Sequence, residues 1–439
     1  MRLAWRFMEL LFLAAFLMAP IARAQEVSDR DVARDDEIAE LKRQLGVVVN
    51  ELETLRTQVA APEIPAELES QHGLGPAASK VYGAARGVSL GGYAEAVYRK
   101  RDLDEDGDDE ADMTRVVAYL GYKYNDWILF NTEIEFEHGS TEEEGSVSVE
   151  FATLDFLLSP EFNVRTGLML IPMGIVNEVH EPPFYYSTTR PLAERVILPS
   201  TWRENGVGVF GNLFERLSYR VYVVNGFEAS GFDSSGLRGG RQNGSEALAN
   251  DLALVGRLDF DAFDGMRLGA SYYVGNSSQD QDIEIGGDAF GLPDARTTIW
   301  EVHGEYRWQA LTARALWSQA HVADAGTLSE LLTLADEDHP VVSRRMMGGY
   351  AELAYDVIPI LFPGSEQSLE PFFRFEYVDT QNKVPSGFLA DRFYKQRIYV
   401  PGVQWKPISN VVLKLDYRNV DDFAHEGGDE VNLGFGLVF

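Results

Sequence analysis

The stretch Glu430-Val431-Asn432-Leu433-Gly434-Phe435-Gly436-Leu437-Val438-Phe439 alternates strictly. Val431, Leu433, Phe435, Leu437 and Phe439 fall on one face, and Glu430, Asn432, Gly434, Gly436 and Val438 on the other. A period of two is that of an extended strand, whose successive side chains point to opposite sides. The same period recurs upstream. Val411, Leu413, Leu415 and Tyr417 alternate with Lys414, Asp416 and Arg418. Trp300, Val302, Tyr306 and Trp308 alternate with Glu301, His303, Glu305 and Arg307, and Ile134 and Phe136 with Glu133, Glu135 and Glu137. One face is apolar and the other charged.

About sixteen such segments follow one another, starting near Ser89, Met113, Trp127, Ser146, Phe162, Asn205, Leu217, Leu252, Met266, Thr298, Leu311, Arg344, Leu369, Arg397, Val411 and Glu430. Connections after odd segments are long or highly charged, as in Ile171 to Glu204, Phe227 to Asn250, Asn276 to Arg296 and Val322 to Ser343. Those after even segments are mostly short, as at Asn125-Asp126 and Ser159-Pro160; Ile358 to Ser368 is the longer exception. All long loops therefore leave one end of an up-and-down sheet, the pattern of membrane barrels. In hydrocarbon such a sheet must close, because an open edge would strand backbone groups without partners. A soluble sandwich could reuse the alternation with its apolar faces turned inward. Aromatic placement favours the membrane: Trp127, Trp308, Trp405 and Phe439 mark the short-turn ends, and Tyr98, Trp300, Trp317 and Tyr377 the long-loop ends.

Composition narrows the rest. The 439 residues carry 38 Lys plus Arg against 69 Asp plus Glu, a net charge of −31, and no cysteine. An acidic chain without a basic block repels phosphate backbones, which sets nucleic acid aside. Disulfides, cysteine nucleophiles and thiolate metal sites are absent together. At the N-terminus Arg2 and Arg6 precede an apolar run from Leu10 to Met18 and the triplet Ala22-Arg23-Ala24, which reads as a secretory signal over residues 1–24. The run is too short for a spanning helix. Ile38, Leu41, Leu45, Val48, Leu52, Leu55 and Val59 then step by three and four, a heptad seam predicting a coiled-coil stalk over 25–60. One amphipathic helix on the protein's own surface is the competing reading. Residues 61–87, rich in Ala, Pro, Gly and Glu, read as a linker, and 88–439 as the barrel. The fold class expected is all-β: a 16-stranded antiparallel transmembrane β-barrel preceded by an α-helical coiled coil.

The terminal aromatic strand, the signal segment and the segment count together resemble bacterial outer-membrane porins. More narrowly, Gly167-Leu168-Met169-Leu170-Ile171-Pro172-Met173-Gly174, a long loop, and Arg203-Glu204-Asn205-Gly206-Val207-Gly208 look like the phosphate-selective porin O and P family. The opening Gly91-Gly92-Tyr93-Ala94-Glu95 is similar to first strands of relatives with a periplasmic coiled coil. The resemblance implies a homotrimer in outer-membrane lipids, with the third long loop folded inward as a constriction and the coiled coil as a periplasmic stalk. It also implies inward arginines and a lysine cluster. This chain departs there, since lysine is scarce and the candidate loops read as neutral or acidic.

With the apolar face outside, the lumen receives Arg115, Lys123, Glu133, Glu135, Arg165, Arg220, Arg257, Arg267, Glu301, Arg307, Arg314, Arg344, Arg374, Lys414 and Arg418. Opposed guanidinium and carboxylate walls guide charged solutes, or simply stiffen the barrel and anchor the third loop. That loop holds Glu178, His180, Glu181, Tyr185, Tyr186, Arg190, Arg195 and Arg203, and prolines at 172, 182, 183, 191 and 199 stiffen it. The function expected is passive conduction of small hydrophilic, charged solutes, phosphate or organic anions among them, across the bacterial outer membrane. A structural barrel tethered to the cell wall through its coiled coil is the alternative. An outer-membrane hydrolase is a weaker one, since the seven histidines form no recognisable constellation. No cofactor is implied, with one candidate exception. Asp102, Asp104, Asp106 and Asp108, around Gly107, have the spacing of a calcium loop. Its twelfth position is Met113, which cannot bind, and a solvated acidic loop is the competing reading. Gly206-Val207-Gly208-Val209-Phe210-Gly211 matches the dinucleotide fingerprint by letter, but no helix follows; inward glycines there suggest close approach by the third loop.

Overall fold

A computed structural model describes residues 42–48, 50, 69–101, 109–139, 145–424 and 427–439. The chain divides into two units, Met1–Ala60 and Ala61–Phe439. In the first, residues 42–48 and 50 are helical, with Leu45 and Val47 exposed. The signal segment, the rest of the expected coiled coil and the four aspartates of the first loop lie outside the described residues.

The second unit is a closed antiparallel barrel of sixteen strands. In chain order they begin with β1 (Gly87–Arg101), β2 (Glu110–Lys123), β3 (Ile128–Glu137), β4 (Ser146–Leu157), β5 (Asn163–Leu170), β6 (Arg203–Phe214), β7 (Leu217–Asn225), β8 (Leu252–Phe263) and β9 (Met266–Gly275). A small hairpin, β10 (Asp282–Ile285) and β11 (Asp288–Gly291), stands outside the barrel in one long loop. The wall continues with β12 (Thr297–Trp308), β13 (Leu311–Val322), β14 (Arg345–Tyr355), β15 (Ser368–Lys383), β16 (Lys395–Ile408), β17 (Val411–Asp422) and β18 (Asp429–Val438). Every strand expected from the alternation is present, starting within three residues of its expected position. The barrel closes where β1 pairs with β18, from Tyr93 opposite Val438 to Arg101 opposite Glu430.

Outward positions carry an exposed apolar band that includes Leu120, Phe136, Leu258, Val302, Phe373, Leu415 and Phe435. A soluble sandwich would bury such side chains, so the apolar face is the lipid face. The expected belt residues Trp127, Trp308, Trp405 and Phe439 are exposed at the short-turn end, and Trp317 stacks on Tyr377 near the other.

One segment departs from its expected role. Residues 69–86 do not form an open linker over the part that is described. Leu74, Ala77 and Ala78 are buried among the inward Tyr93, Val117, Tyr119 and Phe151, and Val81 is buried in a short helix at Lys80–Gly83. Small residues look like spacer in a sequence, yet they are what a crowded lumen admits. Val81 occupies the space a side chain at Gly121 of β2 would need, 2.6 Å from where its Cβ would stand.

Leu258, midway along β8, faces lipid. Leu258→Arg is expected to weaken insertion by about 2–4 kcal/mol, read as a shifted midpoint for urea-driven folding into lipid vesicles. An unchanged midpoint would mean this face does not meet hydrocarbon.

Candidate functional site

Facing hydrocarbon outside, the strands can carry charge only inward, and a desolvated charge needs a partner. The wall supplies partners systematically. Arg115 bridges Glu95 at 2.8 Å and Glu135 at 3.2 Å. Arg165 grips both oxygens of Asp155 at 2.8 Å. Arg220 and Arg257 share Asp259. Arg314 pairs with Glu305, and Arg374 lies 2.9 Å from Glu376 and 3.6 Å from Glu352. Glu301 holds His303 at 2.9 Å, and Arg418 reaches Glu430 at 3.6 Å. Lys414 donates to the Ser187 carbonyl at 2.9 Å beneath the Tyr185 ring, and Lys123 to the Tyr82 carbonyl at 3.1 Å. Arg267 and Arg307 pair with Asp261 and Glu305 but stay exposed at the short-turn mouth. Arg344 lies before β14 on the long-loop side and is exposed, so it lines no part of the inner wall.

Residues 171–202 cross the lumen and take contacts from strands all round it. Glu178 meets Arg220 at 3.2 Å and Arg257 at 3.5 Å. His180 lies 3.2 Å from Glu133, Tyr185 donates to Glu95 at 2.6 Å and Tyr186 to Glu370 at 3.0 Å. The backbone N–H of Thr188 donates to Asp416 and that of Leu192 to Glu376. Arg203, at the end of the crossing, binds Glu150 at 3.2 Å. The room for this crossing is not at Gly206 and Gly208, where Val224 and Tyr222 of the adjacent β7 take the space. It is at Gly436 of β18, where any Cβ would collide with Pro182.

The inner segment docks on the same crossing. The Glu181 carboxylate accepts the N–H groups of Ala77 at 3.0 Å and Ala78 at 3.3 Å. Burial pushes that carboxyl up to about 7, against the pull of the two N–H groups. Tyr82 donates to Asp155 at 2.6 Å, and Arg165 donates to the His72 carbonyl at 3.1 Å. A cavity of about 680 Å³ remains between this segment, the crossing and the wall, with Glu69, Phe184, Arg220, Asp261, Arg307 and Arg374 in its lining.

A second group of arginines behaves differently. Arg190 and Arg195 of the crossing, and Arg238 and Arg241 of the loop between β7 and β8, have no acidic partner within ion-pair distance among the described residues. Arg238 and Arg241 rest on backbone carbonyls of residues 199–201. The Arg190 Nε and one terminal nitrogen are buried with no acceptor. Burial, with Arg241, Arg195 and Arg190 alongside, pushes Arg238 down to about 9; burial and Arg203 push Arg241 down to about 10. Burial, Arg418 and Arg190 lower Arg195 likewise. All remain cationic at neutral pH. The loops read as neutral or acidic thus hold a cluster of arginines without ion pairs among the described residues, and Arg238 and Arg241 escaped the sequence reading because nothing local marks them.

No serine hydroxyl among the described residues hydrogen-bonds a histidine ring. Ser271 donates to Glu301, and His303 binds that same carboxylate through one ring nitrogen and turns the other to Arg257 and Asp259, so neither imidazole nitrogen is directed at the serine.

No protein-family model matches the chain. An uncharacterized protein of Aquifex aeolicus (strain VF5) is 37% identical over 376 residues, 84% of this chain and 83% of the relative. The chain belongs to the family of that protein. Among solved structures, Salmonella typhi OmpF in complex with daunomycin matches with a TM-score of 0.52 at 15% identity, over 81% of this chain and 98% of that one. The anion-selective porin of Comamonas acidovorans matches with a TM-score of 0.51 at 11% identity, over 80% and 99%. The shared feature is the porin barrel fold. Closed, belted and apolar outside, this chain is a bacterial outer-membrane protein.

Asp155 joins β4 to β5 and holds the inner segment. Asp155→Ala leaves Arg165 buried and unpaired, an expected loss of about 3–5 kcal/mol visible as a lower melting temperature in detergent. Tyr82→Phe removes only the segment's contact, so trypsin should cleave after Lys80 faster while barrel melting stays put. Wild-type melting of Asp155→Ala would refute this account of the wall.

Proposed function

We propose that this barrel is a passive porin in which residues 171–202 form the constriction, and that it favours small hydrophilic anions, phosphate or organic anions among them. One observation carries the reading. Arg115, Arg165, Arg220, Arg257, Arg314 and Arg374 of the wall are paired with carboxylates, whereas Arg190, Arg195, Arg238 and Arg241, grouped around the inward loop, have no such partner within ion-pair distance among the described residues. A paired guanidinium contributes little field at a distance. An unpaired one in a partly desolvated passage attracts anions and slows cations. The acidic net charge of the chain works the other way at long range, but salt screens it beyond roughly 8 Å at physiological ionic strength. The local charge of the narrowest passage then decides selectivity.

The assembly that accompanies this reading is a homotrimer in outer-membrane lipids, its 25–60 helices joined in a periplasmic stalk that could touch the cell wall. Its support is the heptad seam from Ile38 to Val59.

The zero-current potential of the purified oligomer in a planar bilayer, under a potassium chloride gradient, tests the proposal. Anion preference is expected, and replacing Arg190, Arg195, Arg238 and Arg241 together by Gln should move the potential toward cation preference. Cation preference in the unmodified protein would overturn the reading.

A further inference from the structure

We propose that Glu133, Glu150 and His180 bind a first-row divalent cation of the Zn2+ type, which pins the inward loop to the barrel wall. Glu133 lies on β3, Glu150 on β4 and His180 on the crossing loop, and all three are buried. One ligand atom from each lies within 4.8 Å of the others. Bonds of about 2.0–2.2 Å to one tetrahedral ion place ligand atoms roughly 3.3–3.6 Å apart, and His180 Nε2 lies 3.2 Å from a Glu133 oxygen and 3.5 Å from Glu150 Oε2.

The hydrogen bonding points the same way. In the neutral ring, His180 Nδ1 donates to the Asn177 carbonyl at 3.0 Å, which leaves the lone pair on Nε2. Nε2 faces a Glu133 oxygen at 3.2 Å and Glu150 Oε2 at 3.5 Å. With the ring neutral, three acceptors therefore converge, and a metal ion between them relieves that. A proton on Nε2 serves one bond. It leaves Glu133 Oε2 and Glu150 Oε2, both buried, with no hydrogen-bond partner among the described residues. A metal ion draws on every ligand at once. The Tyr93 hydroxyl, also buried and without a hydrogen-bond partner among the described residues, belongs to a ring packed edge-on to His180 at 5.9 Å.

The surroundings orient the ligands. Arg203 holds Glu150 Oε1 at 3.2 Å, turning Oε2 inward, and Asn177 is fixed by the carbonyls of Ile171 and Trp202. Glu150 owes its position to a bulge. Glu133 pairs with Phe151 while Ile134 pairs with Val149, so Glu150 is the extra residue and points inward beside Phe151. Glu135 adds a third carboxylate close by, and Arg115 and Arg203 are the guanidiniums that reach the group. One imidazole with carboxylate oxygens suits Zn2+, Co2+ or Mn2+ rather than a thiolate-loving ion.

The test uses the full-length oligomer without a polyhistidine tag, stripped with chelator and titrated with ZnCl2 by calorimetry. One ion per chain is expected, with affinity falling more than about tenfold in His180→Ala and in Glu150→Gln. Should those variants fail to fold, Co2+ added to the unmodified oligomer gives a second reading. Visible absorption bands of nitrogen- and oxygen-ligated Co2+ should appear and be displaced by Zn2+. No stoichiometric uptake by the unmodified protein, uptake unchanged in both folded variants, or a featureless Co2+ spectrum would each overturn the proposal.

Discussion

A chain that meets hydrocarbon on one side can leave no backbone group unpaired there, and every other feature of this protein follows from that demand. It forces β1 onto β18 and turns the sheet into a wall without edges. A wall without edges has one outside and one inside, so alternation along each strand becomes a partition between lipid and lumen. Charge can then go only inward, where water is limited and each ion must find a counter-ion or stay in contact with solvent.

The distribution of partners, more than the number of charges, therefore sets what the interior does. Arg115, Arg165, Arg220, Arg257, Arg314 and Arg374 are locked to carboxylates of the same or neighbouring strands, and those pairs hold the wall and the loop in register. The crossing loop is held by wall side chains on many sides, as Glu178, Tyr185, Tyr186 and the N–H of Thr188 show. A strap tied at so many points presents its remaining groups in fixed positions. Arg190 and Arg195 are presented in this way.

The sequence made the barrel legible because a period of two is a local property and every strand repeats it. The interior was legible only where strand parity held. Glu133 and Glu135 could be read as inward from their neighbours, whereas Glu150 could not, since the bulge beside it reverses the parity and makes that strand alternate poorly. Partners separated by long stretches of chain were out of reach, as with Glu181 and the N–H of Ala77, or Arg165 and the carbonyl of His72. For the same reason residues 69–86 looked like a spacer. Their small side chains carry no periodic signal, and only the space inside a closed barrel gives them a role.

Arginine identity, taken alone, does not say which guanidiniums are paired. Wall arginines stand at readable inward positions, but the strands that place them there also place Asp155, Asp259, Glu305 and Glu376 within reach. Regular pairing across a sheet brings opposite charges together by construction. Loops escape that regularity. Arg238 and Arg241 lean on carbonyl oxygens of residues 199–201, which accept hydrogen bonds without cancelling charge. Two sets of the same residue type are thus held differently: wall guanidiniums paired with carboxylates tie strand to strand, whereas Arg238 and Arg241 rest on backbone carbonyls of the crossing.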